Sequence, residues 1–121
     1  MFDADGRLYC ARNKQKKLTR IDTDGKRVDL ATGMSCNDLV VLDHGVYFTG
    51  PDEKAIWYVP HEGGKVKVGA GPEKPNGVIV TPDKRFLLVV DAMGHYIWSY
   101  RIGKDGKLQH GQPYSLSLIH I

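Results

Sequence analysis

Two asparagines at matching places in the sequence could supply oxygen ligands to a metal ion. Asn37 and Asn76 are 39 residues apart, and each lies just before an apolar run. Side-chain amide oxygens suit hard cations such as calcium or magnesium, and zinc or manganese could also fit a mixed oxygen site. A single Asn before a strand usually caps a turn. Two at equivalent positions of a repeat favour a shared site over two separate caps.

Four further residues could belong to such a site, and each has a structural alternative. Asp38 follows Asn37 directly, and we favour a role in accepting backbone N–H bonds within its loop. Asp91 follows an apolar run and could either bind substrate or start a turn. Arg12 and His95 could line a substrate pocket, although an exposed loop position is the ordinary state of both residue types.

The elements that must position these residues repeat about every 40 positions. The repeat is marked by a strand-centre residue and by a Gly-Lys turn, at Tyr9, Tyr47 and Leu87 and at Gly25, Gly64 and Gly106. Each copy contains short apolar or alternating runs separated by turn residues, and no copy has a helical apolar period. The sequence therefore predicts an all-β chain of about three four-stranded antiparallel propeller blades, with units at residues 1–34, 35–74 and 75–114.

Two linked motifs at blade spacing carry a family resemblance. The first is Pro75-Asn76-Gly77 before a strand, then Pro82-Asp83 and a strand ending in Asp91, closed by Tyr100-Arg101-Ile102. The second is Ser35-Cys36-Asn37-Asp38, followed by Tyr47-Phe48-Thr49-Gly50-Pro51. With these residues the chain resembles, over roughly residues 3 to 114, the SMP-30/gluconolactonase family of six-bladed β-propeller lactonases.

The resemblance implies roles for particular residues. Asn76 matches the metal-ligand Asn of the family, and Asn37 matches a residue that contacts the substrate or a metal-bound water. The implied reaction is opening of a sugar-acid lactone, or a similar lactone, by metal-activated water, with calcium the expected metal and an Asp as general base. The family's Glu from the first blade and Asp from the following blade have no match here. An Arg of some relatives is replaced by Ser35, which puts the sugar-acid substrate in doubt.

The chain length fits only part of such a protein. Six blades of about 40 residues need on the order of 240, so 121 residues are expected to be a fragment that is inactive alone. Residues 115–121 depart from the repeat and are interpreted as a cut-short strand or foreign sequence. Exposed strands at the ends of the fragment could promote self-association, including pairing of two copies into a ring.

Composition narrows the remaining possibilities. The formal net charge is +3, and the basic residues concentrate in the first unit without aromatic partners, which favours a solvated strand over nucleic-acid binding. The absence of a long apolar run predicts a soluble protein with no membrane segment. No signal peptide is recognised, but the true N-terminus is expected to be missing, so the compartment, cytoplasmic or periplasmic, stays open. Cys10 and Cys36 lack metal-type spacing, and a single disulfide stays open. The alternative function is a non-catalytic propeller that serves as a binding scaffold.

Overall fold

The computed structural model describes residues 1–115 as strands joined by tight turns, with one short 3₁₀ turn at Lys104–Gly106. The strands are β1 (Leu8–Arg12), β2 (Lys17–Ile21), β3 (Arg27–Thr32), β4 (Leu39–Leu42), β5 (Gly45–Gly50), β6 (Ala55–Pro60), β7 (Val66–Gly69), β8 (Pro75–Val80), β9 (Phe86–Asp91), β10 (Tyr96–Ile102) and β11 (Leu108–Ser115). No helix in this range has the length and apolarity needed to cross a bilayer.

The strands form three antiparallel sheets in which each strand pairs with its neighbours along the chain. Blade 1 has the order β1-β2-β3, blade 2 the order β4-β5-β6-β7, and blade 3 consists of β8 to β11 in sequence. In blade 1 the place of a first strand is taken by a single bridge between Phe2 and Leu8. The predicted all-β propeller fragment is confirmed. Of the predicted tail at 115–121, only Ser115 lies within the described residues, at the end of β11.

The sheets pack face to face, with blade 2 in the middle. Successive residues of a strand point to opposite faces, so β5 packs Val46 and Phe48 towards blade 1 and Tyr47 towards blade 3. All six residues of β5 are buried for this reason. One apolar cluster joins blades 1 and 2, and its buried members are Tyr9, Leu18, Ala31, Met34, Cys36, Val46, Phe48 and Val59. A second cluster joins blades 2 and 3, and its buried members are Val40, Leu42, Tyr47, Ile56, Tyr58, Val78, Leu87, Val89 and Tyr100.

Carboxylates accept hydrogen bonds from the segment that precedes the first strand in each of blades 2 and 3. In blade 2, Glu53 accepts hydrogen bonds from the Ser35 backbone N–H at 3.0 Å and from its hydroxyl at 2.8 Å. In blade 3, Asp91 accepts backbone N–H bonds from Glu73 at 3.0 Å, Lys74 at 3.1 Å and Met93 at 3.0 Å. Both carboxylates therefore fix the backbone that leads to Asn37 or Asn76.

Asp91 is held as a carboxylate although it is only 3% exposed. Burial by itself raises the pKa of Asp91, but the backbone N–H groups of Glu73, Lys74, Met93 and Gly94 together outweigh it and lower the pKa below the ordinary value. A group with a lowered folded-state pKa stabilises the fold above its unfolded pKa, and this contribution is lost as the pH falls through the folded pKa.

Two equivalent hairpin turns use glycine in the left-handed region, with φ of +86° at Gly25 and +78° at Gly106. A Cβ on Gly25 would meet nothing within 4 Å, whereas one on Gly106 would run into the ring of Tyr58. The Gly106 carbonyl also accepts a 2.7 Å hydrogen bond from the buried Tyr47 hydroxyl. The turn of blade 3 is thus part of the contact with blade 2.

Replacing these glycines separates backbone strain from packing. Gly25→Ala should lower the free energy of unfolding by about 1 kcal/mol, because an L-residue is strained at this φ. Gly106→Ala should lower it by about 1–3 kcal/mol more, since the added methyl group overpacks against Tyr58. Urea unfolding followed by tryptophan fluorescence measures both, and equal losses would contradict the proposed contact.

Asp91→Asn should lower the free energy of unfolding at pH 7 by about 2 kcal/mol, because Asn offers one acceptor oxygen and turns an NH₂ group towards backbone donors. The gap from wild type should narrow as the pH falls from the unfolded-state pKa of an Asp side chain, about 4, towards the lower folded-state pKa of Asp91. Asp52→Asn is the matched control: its side chain is exposed, and a change of no more than about 0.5 kcal/mol is expected. A gap independent of pH would show that the carboxylate charge plays no part.

Candidate functional site

Asn37 and Asn76 lie at the same end of neighbouring sheets and are joined through one residue, Thr49. The Asn37 backbone N–H donates to the Thr49 carbonyl at 2.9 Å. The Thr49 hydroxyl in turn donates to the Asn76 carbonyl at 2.6 Å. Thr49 is fully buried in β5, so this connection is held inside the contact between blades 2 and 3. The backbones of the two asparagines that occupy equivalent positions of the repeat are therefore also close in space.

The hydrogen bonding of the two asparagine side chains distinguishes the site interpretation from the capping one. Within residues 1–115, neither the Asn37 nor the Asn76 amide hydrogen-bonds to another residue. The Asn37 side chain is exposed, and Asn76 is partly buried. An Asn that caps a turn would use its amide oxygen on a nearby backbone N–H. The unused amides favour the site interpretation over the capping one.

Asp38 connects blade 2 to blade 3 through its carboxylate. Its Oδ1 accepts the N–H of Leu39 at 2.9 Å, and its Oδ2 accepts the N–H of Val78 at 3.0 Å. Val78 belongs to the first strand of the next blade, two residues after Asn76. The carboxylate thus holds the start of β8 against blade 2, and both of its oxygens are already engaged with the backbone.

The other predicted site residues are placed differently. Asp91 is at the end of β9, the second strand of blade 3, and its carboxylate makes the loop bonds described above, as the turn alternative requires. His95 is an exposed turn residue with φ of +59°. Neither side chain shares a hydrogen bond with the asparagines.

Arg12 lies on the face of blade 1 that points away from blade 2, beside Cys10, Thr19 and Ile21. Its Nη1 is 3.5 Å from the Thr19 hydroxyl. The pKa of neighbouring Asp29 is lowered by hydrogen bonds from Thr19 and then Lys17, with a smaller effect of the Arg12 charge. Arg12 is therefore part of a polar cluster on this face, and within residues 1–115 its side chain hydrogen-bonds to Thr19 and to neither Asn37 nor Asn76.

Three residues that position the site were not recognised from the sequence. They are Thr49, Glu53 and Asn13, whose Oδ1 accepts the Cys36 N–H at 3.0 Å and so ties blade 1 to the loop before Asn37. The position equivalent to Cys36 in blade 3 is Pro75, which has no N–H to donate. A sequence signal did exist, because Asn13 follows β1 and Glu53 follows β5, which are equivalent strands of blades 1 and 2.

The cysteines are not candidates for chemistry at this site. Both are free thiols, so the disulfide left open by the sequence does not form. Cys36 is completely buried, and burial raises the pKa of its thiol to about 12. A neutral buried thiol at ordinary pH is neither a nucleophile nor a metal ligand.

The donors around Asn37 and Asn76 fit a hard cation in type but supply little charge. Both available groups are neutral amides, and the nearby Asp38 carboxylate is engaged with two backbone N–H groups. No group of three or more His, Cys, Asp or Glu side chains suited to a metal occurs among residues 1–115. Calcium sites draw much of their affinity from carboxylates. The described residues around Asn37 and Asn76 therefore offer fewer charged oxygens than calcium sites use.

Comparisons with known proteins give matches at the level of structure. Searches of sequence families and of curated protein sequences find no match. Among solved structures, a gluconolactonase from Xanthomonas campestris is similar with a TM-score of 0.78 and 23% identity, over 93% of this chain and 46% of that one. Virginiamycin B lyase from Staphylococcus aureus gives 0.77 and 21%, over 95% and 39%. An auxiliary nutrient binding protein from Bacteroides ovatus gives 0.69 and 12%, over 93% and 30%.

These similarities concern the fold. The chain spans less than half the length of each of these structures, and the gluconolactonase and the lyase are six-bladed propellers. A gluconolactonase, a lyase and a nutrient binding protein differ in function, as expected of an architecture that carries many activities. The three sheets described above are thus a portion of a β-propeller.

Proposed function

We propose that this chain is part of a metal-dependent lactonase of the propeller type, in which Asn76 is a ligand of a divalent cation and Asn37 binds the lactone or a metal-bound water. The observation that carries the proposal is a pair of asparagines at equivalent positions of adjacent blades. Their backbones are joined through Thr49, and their side-chain amides make no hydrogen bond within residues 1–115. The P-N-G and N-D motifs around them and the similarity to a gluconolactonase structure support the same reaction class.

In this proposal the residues of the chain hold the cation and orient the groups that bind it. The Oδ1 atom of Asn76 would hold the cation, for which calcium is expected. When bound, the cation would polarise the lactone carbonyl and lower the pKa of a bound water. Asp38 and Asp91 are positioning residues, because their carboxylates fix the backbone on either side of Asn76. Arg12 is given no role in this proposal, because its side chain hydrogen-bonds to Thr19 on the face of blade 1 that points away from blade 2.

The charged groups needed for tight cation binding and for proton transfer would have to be residues other than Asn37 and Asn76. Two neutral amides do not balance a divalent charge, and the general base of a lactonase must be a titratable group within reach of the water. The proposal therefore assigns weak cation affinity, and no efficient catalysis, to the 121-residue chain alone.

Cation binding gives the first test. Terbium(III), a luminescent substitute for calcium, should bind weakly to the chain and be displaced by calcium. Asn76→Ala should abolish binding, whereas Asn76→Asp should strengthen it about tenfold or more, because it keeps the ligand oxygen and adds a negative charge. Terbium luminescence excited through tryptophan measures both.

The control is Gln15→Asp, which places the same new charge in an exposed turn of blade 1 and should leave affinity within about twofold of wild type. Equal terbium affinity in wild type, Asn76→Ala and Asn76→Asp would rule out Asn76 as a ligand.

Lactone recognition gives the second test. With calcium present, a sugar-acid lactone or its ring-opened acid should give saturation-transfer NMR signals with the wild-type chain, and Asn37→Ala should weaken them at least about fivefold, the loss of one hydrogen bond to a bound ligand. Lactone hydrolysis by this chain without any divalent cation would contradict the division of roles, as would undiminished binding in Asn37→Ala.

A further inference from the structure

The turns that join the second and third strands of blades 2 and 3 have matching backbones. Residues 51–54 connect β5 to β6, and residues 92–95 connect β9 to β10. The last residue of each turn is left-handed, with φ of +55° at Lys54 and +59° at His95. The final residue of the second strand and the third residue of the turn are therefore equivalent positions in the two blades.

Each turn provides one carboxylate, but from a different one of these two positions. In blade 3 it belongs to Asp91, the final residue of β9, and in blade 2 to Glu53, the third residue of the turn. Asp91 accepts the backbone N–H of Lys74 at 3.1 Å, and Glu53 accepts that of Ser35 at 3.0 Å. Lys74 and Ser35 each lie two residues before the candidate asparagine of their blade. The two carboxylates thus bind equivalent backbone groups.

The other position is glycine in both blades, because the carboxylate fills the space beside it. A Cβ on Gly94 would lie 2.7 Å from Oδ2 of Asp91, and a Cβ on Gly50 would lie 2.6 Å from Oε1 of Glu53. Contacts this short are not tolerated in a packed structure. Neither glycine has a positive φ, so the backbone conformation alone would accept another residue.

We propose that this turn supplies a single anchoring carboxylate, which can come from either position provided that the other is glycine. Glu53 and Asp91 are then equivalent positioning residues for Asn37 and Asn76. Their effect on ligand binding by the two asparagines rests on the proposed function, whereas the exchange between positions does not. The blade 2 pattern should therefore be transferable to blade 3.

Moving the carboxylate within blade 3 tests the proposal. Asp91→Gly removes the anchor, Gly94→Glu alone adds a carboxylate where that of Asp91 already lies, and the double variant carries the blade 2 pattern. Hydrogen exchange at the Lys74 N–H should be at least about tenfold faster than wild type in Asp91→Gly, and within about threefold of wild type in the double variant. Gly94→Glu alone should lower the urea midpoint of unfolding, and adding Asp91→Gly should raise it again.

The matched control replaces the new carboxylate by an amide of the same size. Asp91→Gly with Gly94→Gln should leave exchange at Lys74 at least about fivefold faster than wild type, because a neutral oxygen accepts weaker hydrogen bonds than a carboxylate. If Asp91→Gly does not fold, the double variant should still regain the wild-type circular dichroism spectrum. An unfolded double variant, or one that exchanges as fast as Asp91→Gly, would overturn the proposal, and so would equal recovery with Gly94→Gln.

Terbium binding separates this proposal from the proposed function. Terbium affinity should fall at least about fivefold in Asp91→Gly and recover in the double variant, because the anchored segment leads to Asn76. If the wild type binds no terbium but exchange at Lys74 follows the expected pattern, the proposed function fails and the anchor stands. Terbium binding without that exchange pattern would overturn the anchor alone.

Discussion

Face-to-face packing of neighbouring sheets is the interaction on which the rest of this structure depends. A strand in the middle of a sheet must bury side chains on both faces when a sheet lies on either side of it. This is why Val46, Tyr47 and Phe48 are all buried in β5, although they point alternately to blade 1 and to blade 3. The outer strand β7 has only exposed or partly exposed residues, because it lies at the rim of blade 2.

The candidate site is a product of the same packing. The bonds from Thr49 to Asn76 and from Val78 to Asp38 cross between blades 2 and 3, so they exist only when the two sheets are in contact. Glu53 and Asp91 then hold the two loops from their own blades. Asn37 and Asn76 are thereby kept in place through their backbones, and no group in residues 1–115 hydrogen-bonds to their side-chain amides. An arrangement of this kind separates the residues that support a site from those that meet a ligand.

The same architecture occurs in similar structures described as a lactonase, a lyase and a nutrient binding protein. Sheet packing therefore does not determine the function, which depends on the residues just before the first strand of each blade. In this chain those residues are two neutral amides with engaged carboxylates around them. Such a set can orient a cation or a polar ligand, and further charged groups would have to complete a hydrolytic site.

Much of the fold was determined by local sequence. The 40-residue period, the turn residues between apolar runs and the lack of a helical period were enough to predict all-β blades, and the bounds of β2 and β4 follow directly from their patterns. The positions of Asn37 and Asn76 were equally visible, because a repeat places equivalent residues at equivalent points.

Tertiary structure decided the rest. It engaged the Asp91 and Asp38 carboxylates with backbone N–H groups, turned Arg12 to the far face of blade 1, and gave Thr49, Glu53 and Asn13 their supporting roles. These outcomes depend on which residues from different blades come into contact, and a periodic pattern within one strand carries no information about that.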